Sequence, residues 1–391
     1  MDCYVQGVDH VRFFVGNALQ SASFYCQKFG FRQSAFRGLQ TGDRTRCTHV
    51  VTQGNCTFAF TSSLCRKDKD FHDEIIRHGD SVKDIAFTVS DVDKAFSSAI
   101  QGGASCIVEP HDEYFSEDDY VRLATVKLPI GNWVHTLIDR SHQRSSLFLP
   151  GYREKYYQKR MDAASNLQDT ALDYFDHAAF AIEKDSLATV VGLYRSCFNF
   201  ERFLSMDDDA DAGITISSED TKSSGLTTMT VAPPNNATAF KFVLVEPVNR
   251  GNTKSQIQEF LDFHDGPGVA HIALNTSDII HTVSTAVLRG VDFIDVPSTY
   301  YDTWREQENR SEMYKSVEES WEKIQHNAIL VDGIVENGYL LQTFTLPLGD
   351  RPTFYLEIIC RKGNNGFGKR NIKSLFDAIE RLQKERGNYN S

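Results

Sequence analysis

The sequence predicts an α+β protein of two domains, each built from a pair of βαβββ modules. The 391 residues, 41% of them hydrophobic, can form about two domains with sizeable cores. The two halves of the chain also repeat the same order of apolar runs, helix-like stretches and glycine turns, which is typical of a duplicated architecture. We expect domains at residues 1–150 and 170–391, joined by a charged, glutamine-rich linker at residues 151–169.

Three pairs of matching segments carry the repeat. Each pair is rich in branched and aromatic residues, as strands are. The first pair leads into a helix-like stretch and a Phe-Gly-Phe or Phe-Asn-Phe turn, and the second leads into a helix that ends at glycine. The matching segments are residues 8–15 with 175–182, residues 81–92 with 268–279, and residues 133–140 with 354–361.

Composition excludes several classes of protein. The formal net charge of -12 and a pI near 5.5 argue against a nucleic-acid partner, because phosphate binding needs clustered Lys and Arg. The eight cysteines are scattered without a C-x-x-C pair, which is typical of reduced cytosolic thiols. The N-terminus lacks a basic, apolar leader, and no stretch approaches the length of a membrane helix. We therefore expect a cytoplasmic protein with no membrane partner.

The repeat also shows where the two halves differ. At the corresponding positions the first half has His10, Asp84 and Thr136, whereas the second half has His177, His271 and Glu357. Two imidazoles and one carboxylate form the ligand set of a facial triad, which leaves positions on Fe(II) open for a chelating substrate and dioxygen. No thiolate joins them and their spacing matches no local zinc signature, so iron is favoured over structural zinc.

Each of these residues also has a structural interpretation. A single His at the start of a strand is often a hydrogen-bonded core residue, and His10 fits this description. Asp176 fits a turn residue. Glu357 lies between Leu356 and Ile358, and a glutamate buried there needs an ion-pair partner or a metal. Because the repeat aligns all three candidates, the metal interpretation is favoured.

Several further segments resemble those of 4-hydroxyphenylpyruvate dioxygenases. They are residues 148–152, 255–260, 296–301, 338–344, 350–353 and 366–371, so the resemblance extends over nearly the whole chain. It implies a vicinal-oxygen-chelate fold with a degenerate N-terminal domain and an active site inside the C-terminal domain. That architecture agrees with the repeat.

The resemblance also implies a reaction. An aromatic 2-oxo acid, 4-hydroxyphenylpyruvate, would chelate Fe(II) and react with O2 to give homogentisate and carbon dioxide, a step of tyrosine catabolism. It implies catalytic roles for Gln256, Gln342, Phe344 and Asn371. Residues 371–386 resemble the helix that closes over the site, although a packed surface helix gives the same pattern. A homodimer is also suggested by the resemblance.

The predicted substrate pocket departs from the family pattern. Its expected members are Thr228, Val245, Ala270, Phe367, Ile372 and Leu375. Val245 and Ala270 replace amide side chains, and Ile372 replaces an aromatic residue. An apolar site discriminates weakly for a hydroxyl group.

These changes keep other functions open. One alternative is a paralogous dioxygenase that hydroxylates the benzylic carbon to give 4-hydroxymandelate, or that uses a less polar 2-oxo acid. Another is a non-catalytic binding protein on the same fold. Isomerisation and extradiol ring cleavage occur on related folds, but neither explains Gln342 and the segment at 366–368.

Overall fold

The structure is a computed structural model that describes residues 3–154, 170–204, 214–217, 224–234, 240–249, 253–306 and 311–389. Most of the predicted linker, residues 155–169, lies outside the described residues. The side chains of residues 217, 305, 306, 311, 369 and 370 are likewise not described.

The first half contains two modules with a helix between them. Its elements are β1 (Val5–Phe14), α1 (Ala18–Phe29), β2 (Arg32–Arg37), β3 (Arg46–Gln53), β4 (Cys56–Ser63), α2 (Lys69–His78), β5 (Ser81–Val89), α3 (Val92–Gln101), β6 (Ser105–Ser116), β7 (Asp119–Lys127) and β8 (His135–Asp139).

The second half repeats this order with insertions. Its elements are β9 (Leu172–Ala181), α4 (Leu187–Phe198), β10 (Glu201–Arg202), β11 (Ile214–Ser217), β12 (Ser224–Ala232), β13 (Lys241–Asn249), α5 (Gln256–His264), β14 (Gly268–Thr276), α6 (Ile279–Leu288), α7 (Ser298–Glu306), α8 (Ser311–Ser316), α9 (Trp321–His326), β15 (Leu330–Ile334), β16 (Gly338–Phe344), β17 (Tyr355–Lys362) and α10 (Lys369–Glu385).

The two sheets have the same topology. The first runs in the order β2-β3-β4-β1-β5-β8-β7-β6, and the second in the order β10-β12-β13-β9-β14-β17-β16-β15, with β11 paired to β12. At the centre of each sheet the first strands of the two modules pair antiparallel, β1 with β5 and β9 with β14. The predicted α+β class with paired βαβββ modules is thereby confirmed. The repeat did not predict β11 or the three helices α7 to α9.

Local sequence explains how equivalent helices begin. Asp91 and Asp278 occupy the same place in the two halves, after the first strand of the second module. The Asp91 side chain accepts a hydrogen bond from the Lys94 backbone N–H, and that of Asp278 accepts one from His281. Each aspartate therefore caps a helix N-terminus, satisfying a backbone donor that has no partner within the helix.

The two halves share one apolar core. Trp133 and His135 of the first half reach Tyr194 of the second, whose hydroxyl oxygen lies 3.2 Å from Trp133 Nε1 and 3.1 Å from His135 Nε2. On the opposite side of each sheet, smaller apolar clusters line the concave face. The concave face of the second sheet carries the candidate site.

Candidate metal centre and substrate pocket

Strand register brings the three predicted metal ligands together. Ala273 on the central strand β14 lies opposite His177 of β9 on one side and Glu357 of β17 on the other. His271 precedes Ala273 by two residues, so it shares a sheet face with it. Three residues far apart in the chain are therefore neighbours on the concave face.

The donor atoms of these side chains converge on one point. Glu357 Oε2 lies 3.2 Å from His177 Nε2 and 3.3 Å from His271 Nε2, and the two nitrogens are 3.4 Å apart. All three residues are buried or nearly so. Donors bound at right angles about 2.1 Å from one ion would stand about 3 Å apart, so the spacing fits three neighbouring coordination positions. The donor set and its geometry fit a divalent metal.

A buried ion pair fixes the orientation of His177. At Asp176, strand β9 advances by two residues while its partner strand β14 advances by one. Asp176 is therefore the additional residue of a β-bulge. Its Oδ1 lies 2.8 Å from His177 Nδ1, and both carboxylate oxygens accept hydrogen bonds from Arg361 at 2.7 Å. Asp176 therefore holds the proton on Nδ1 and leaves Nε2 to face the other donors.

Glu357 is positioned by a chain of amides. Gln342 Nε2 donates to Glu357 Oε1 at 3.1 Å, and Gln342 Oε1 accepts from Asn371 Nδ2 at 3.0 Å. Asn371 Oδ1 in turn accepts from the Tyr300 hydroxyl at 3.0 Å. Gly368 has a φ of +69° and lies so close that a Cβ there would collide with Gln342 Oε1. Helix α10 and the inserted helix α7 are thus connected to the carboxylate.

The electrostatics of the site favour a bound cation. Burial would raise the pKa of Glu357, but the charges and hydrogen bonds of His177 and His271 lower it to about 2. Burial likewise opposes ionisation of Asp176, but Arg361 and His177 hold its pKa well below the usual range. Burial lowers the pKa of His271. The site therefore keeps its carboxylates charged at neutral pH, as metal binding requires.

The same concave face forms a small pocket. It is lined by nine of the ten predicted catalytic and substrate-binding residues: Thr228, Val245, Gln256, Ala270, Gln342, Phe344, Phe367, Ile372 and Leu375. The tenth, Asn371, is fully buried behind the pocket wall, where it bonds to Gln342. The structure therefore brings all ten residues to one region beside the metal ligands, while their individual roles stay predictions.

Two polar atoms in this pocket have no hydrogen-bond partner. Within the described residues, Thr228 Oγ1 and Gln256 Oε1 are buried and unpaired. A buried polar atom without a partner costs about 1–3 kcal/mol. The other walls are mainly apolar, so these two atoms mark the polar end of the pocket.

Some residues of the site were not predicted from the sequence. Tyr355 lines the pocket, and its hydroxyl oxygen lies 2.9 Å from His271 Nδ1. Strand alternation could have identified it, because it precedes Glu357 by two residues. The role of Asp176 as a partner of His177 was also missed. The repeat contained a signal for it, since Asp-His and a distant Arg recur together in both halves.

Known proteins define the class of this fold and site. Residues 7–136 and 175–307 match the family model of the Glyoxalase/Bleomycin resistance protein/Dioxygenase superfamily. The chain therefore belongs to that superfamily, and the candidate ligands His177 and His271 lie in the second matched region, whereas Glu357 follows it.

Relatives narrow the class further. A 4-hydroxyphenylpyruvate dioxygenase from Dictyostelium discoideum is 42% identical over 385 residues, which cover 98% of this chain and 100% of the relative. One from Yarrowia lipolytica is 40% identical, covering 99% of this chain and 94% of the relative. The chain belongs to the 4-hydroxyphenylpyruvate dioxygenase family. The predicted family and the predicted enzyme class, non-haem iron dioxygenase, are confirmed.

A solved structure shares the whole fold. A triple mutant of 4-hydroxymandelate synthase from Streptomyces coelicolor superposes with a TM-score of 0.78 at 28% identity, covering 97% of this chain and 99% of that protein. The predicted vicinal-oxygen-chelate fold is confirmed. Among the described residues, no helix has the length and apolar character needed to cross a lipid bilayer.

Proposed function

We propose that His177, His271 and Glu357 hold Fe(II), and that the protein converts 4-hydroxyphenylpyruvate and O2 to homogentisate and carbon dioxide. The observation that carries the proposal is the convergence of the three donor atoms within 3.4 Å of one another beside a pocket with two unpaired polar atoms. The family of the relatives supports the same reaction.

The protein supplies orientation around the metal. When bound, Fe(II) supplies the redox chemistry and the coordination positions for the 2-oxo acid and dioxygen. Asp176 keeps the Nδ1 proton on His177, and Gln342 holds Glu357 Oε1 so that Oε2 faces the two imidazoles. Such outer hydrogen bonds typically contribute ten- to a hundredfold to metal affinity or activity.

The polar end of the pocket favours a hydroxylated ring. A phenol hydroxyl can donate to Gln256 Oε1 or Thr228 Oγ1, the two atoms that lack partners in the structure. An unsubstituted ring would leave both unpaired in a buried setting, which is unfavourable. We therefore propose that these two residues take over the recognition that the amides replaced by Val245 and Ala270 provide elsewhere in the family.

The pocket must enlarge to admit a substrate. Its volume is about 60 Å³, well below the roughly 300–1,000 Å³ that is usual for small-molecule pockets. Ile372 and Leu375 of α10 form part of its wall. We propose that α10 moves away for entry and then returns, so that the apolar wall excludes water from the reacting atoms.

Substrate preference tests the role of the polar end. The Fe(II)-loaded protein, a Thr228→Val/Gln256→Leu variant and a Leu226→Ile control should each be given 4-hydroxyphenylpyruvate and phenylpyruvate while oxygen uptake is followed. We expect the preference of the double variant for the hydroxylated substrate to be about tenfold lower, because a hydrogen bond to the ring hydroxyl is removed. The control alters an apolar wall residue on the same strand and should keep the preference. An unchanged ratio in the double variant would contradict this role.

Benzylic hydroxylation is the second candidate function. The structural similarity to a 4-hydroxymandelate synthase favours it, as does the apolar character of Val245 and Ala270. Product identity separates the candidates. Homogentisate from 4-hydroxyphenylpyruvate would establish the first, and 4-hydroxymandelate would establish the second. If the Fe(II)-loaded protein turns over neither 4-hydroxyphenylpyruvate nor phenylpyruvate, less polar 2-oxo acids are the next to test.

The cellular setting is also a proposal. None of the eight cysteines, all of which the structure describes, is in a disulfide, and this supports a reducing cytoplasm. Whether the chain forms the homodimer suggested by its family can be measured by sedimentation of the purified protein.

A further inference from the structure

A second cavity lies between the two halves of the molecule. Its volume is about 600 Å³, within the usual range for small-molecule sites, and it shares no lining residue with the pocket around the metal ligands. Helix α1 and strands β1 and β4 form one side, and residues 348–354, which lead into β17, form the other. Nothing in the proposed reaction uses this cavity.

The floor of the cavity is aromatic. Phe13, Tyr25, Phe60 and Phe354 are all buried there. The Phe13 ring lies 5.1 Å from that of Phe60 and 5.2 Å from that of Phe354, and the Tyr25 ring is 4.6 Å from Phe60. Phe24, which is 36% exposed, extends the aromatic surface. Such a floor suits a flat aromatic ring, and its ring faces attract a cation.

The rim carries two opposite charges that are not paired with each other. Asp80 Oδ1 accepts a hydrogen bond from the Gly16 backbone at 2.7 Å, and within the described residues Oδ2 has no partner. Arg351 is fixed by the carbonyls of Ile76, Arg77 and Phe263, to which Nη1 and Nη2 donate. Its Nε–H has no partner among the described residues. Arg351 packs beside Gly79, the residue before Asp80, and both Asp80 and Arg351 line the cavity.

We propose that this cavity binds a free aromatic α-amino acid. Asp80 would receive its ammonium group, the remaining donors of Arg351 its carboxylate, and the aromatic floor its ring. Both charges of such a ligand meet an opposite charge at the rim, and its apolar part is removed from water.

Two other features of the rim fit this assignment. Partial desolvation of its carboxyl group raises the pKa of Asp80, so its charge gains from a cationic partner. Asp350 is also at the rim and, like Asp80, is exposed, and no hydrogen bond of its side chain occurs within the described residues. It therefore provides a matched carboxylate that can be changed without disturbing the proposed ammonium contact.

Calorimetric titration tests the proposal. L-phenylalanine, 3-phenylpropionate, which lacks the ammonium group, and 2-phenylethylamine, which lacks the carboxylate, should be titrated into the full-length protein. We expect L-phenylalanine to bind at least about tenfold more tightly than either analogue, because each analogue loses one charge-assisted contact. Absence of binding by L-phenylalanine, or equal binding by all three probes, would overturn the proposal.

Variants identify the site of binding. Asp80→Asn keeps an acceptor for Gly16 but removes the charge, and it should weaken L-phenylalanine binding by about tenfold or more. Asp350→Asn should bind like the unaltered protein. Metal-free Glu357→Ala protein should also retain binding, since the site is separate from the metal centre. Loss of binding in Glu357→Ala would place the ligand in the metal pocket instead and overturn the assignment, whatever the outcome for the reaction.

A filling variant covers the case in which Asp80→Asn does not fold. Ser21 lines the cavity from α1, so Ser21→Phe would occupy part of its volume. We expect this variant to lose binding while its circular dichroism and unfolding midpoint stay near those of the unaltered protein. Binding that persists in a folded Ser21→Phe protein would contradict the proposal.

Discussion

The two halves of the molecule carry the same Asp-His-Arg cluster, called here the polar clamp, but within the described residues only the second half has a set of donors that could hold a metal ion. In the first half Asp9 lies 2.8 Å from His10 and is bonded by Arg140, and in the second half Asp176 lies 2.8 Å from His177 and is bonded by Arg361. In both, the aspartate is the extra residue of a β-bulge. The clamp therefore belongs to the fold, and binding a metal requires something more.

The two halves differ at the other two candidate ligand positions, where the side chains of the first half are hydrogen-bonded to each other. Asp84, at the position of His271, accepts hydrogen bonds from the backbone and hydroxyl of Thr136 at 3.0 and 2.6 Å. Arg12 stands where the second half has Ala179, and its Nη2 lies 3.5 Å from His10 Nε2. In the first half, two of the three corresponding positions therefore form a hydrogen-bonded pair, and a guanidinium lies beside the remaining histidine.

The concave faces are also closed in different ways. In the first half, Phe148, Leu149 and Tyr152 pack into it, with the Phe148 ring 4.8 Å from that of His10. In the second half, Phe367 packs on His177 at 5.4 Å, and the helix α10 that follows covers a pocket. Side chains of the segment after β8 therefore fill one face, whereas helix α10 covers a pocket on the other.

Loss of a ligand should give the largest difference between the halves. Glu357→Ala should abolish stoichiometric Fe(II) binding and lower oxygen uptake by more than about a hundredfold, which exceeds the usual effect of removing an outer partner. Thr136→Ala, at the same position of the first half, should leave both unchanged. Metal analysis and an oxygen electrode measure the two effects. A Thr136→Ala protein with reduced iron content would show that the first half contributes to metal binding.

Removing the arginine of each clamp separates the effect of the clamp on stability from its effect on metal binding. Arg361→Met leaves the Asp176 carboxylate buried without its guanidinium partner, so it should cost about 3 kcal/mol of stability and weaken Fe(II) affinity by about ten- to a hundredfold. Arg140→Met likewise removes the guanidinium partner of the buried Asp9 carboxylate. It should lower stability by a similar amount without changing Fe(II) affinity. Denaturant unfolding and metal titration measure these quantities. Equal Fe(II) affinity in the two variants would mean that the clamp has only a structural role.

Buried histidines outside the metal site make stability depend on pH. Burial lowers the pKa of His135 to about 4, and burial together with His78 lowers that of His264 to about 4. Below about pH 6.5 the unfolded chain takes up protons that the folded protein excludes, so stability is fully present above that pH and falls toward pH 4. Each site should contribute on the order of 3 kcal/mol.

Single variants test this pH dependence in each half. His135→Gln and His264→Gln should each flatten the plot of unfolding free energy between pH 6.5 and 4 relative to the unaltered protein. Comparison with the unaltered protein cancels the titration of the metal ligands. A slope as steep in both variants as in the unaltered protein would rule out these histidines as its source.

The smallest predicted effect concerns the inserted helix α7, which has no counterpart in the first half. Tyr300→Phe removes the hydroxyl that bonds Asn371 and Val331, and should cost about 1 kcal/mol and lower activity a few-fold. The neighbouring Tyr301 hydroxyl is buried and, within the described residues, unpaired, so Tyr301→Phe should be neutral or slightly stabilising. Thermal unfolding of both variants measures the difference, and equal shifts would contradict the proposed role of Tyr300.

The sequence by itself determined the duplicated architecture, and it predicted three candidate metal ligands and, through the family resemblance, the members of the pocket. Apolar periodicity and the internal repeat can be recognised in the sequence without the structure. Aligning the two halves shows that two positions with Asp and Thr in the first half have His and Glu in the second. The resemblance to a family added Gln342, Phe344 and Asn371, which the structure places around Glu357.

Only the tertiary structure decided how these residues are held. Asp176 and Arg361 are 185 residues apart in the chain, and a β-bulge turns the aspartate toward its neighbour His177. The link from Tyr300 to Glu357 and the cavity between the halves likewise depend on the packing of distant segments. Sequence patterns report which face of an element is buried, whereas the partner that a buried polar group meets is set by the register and packing of the whole fold.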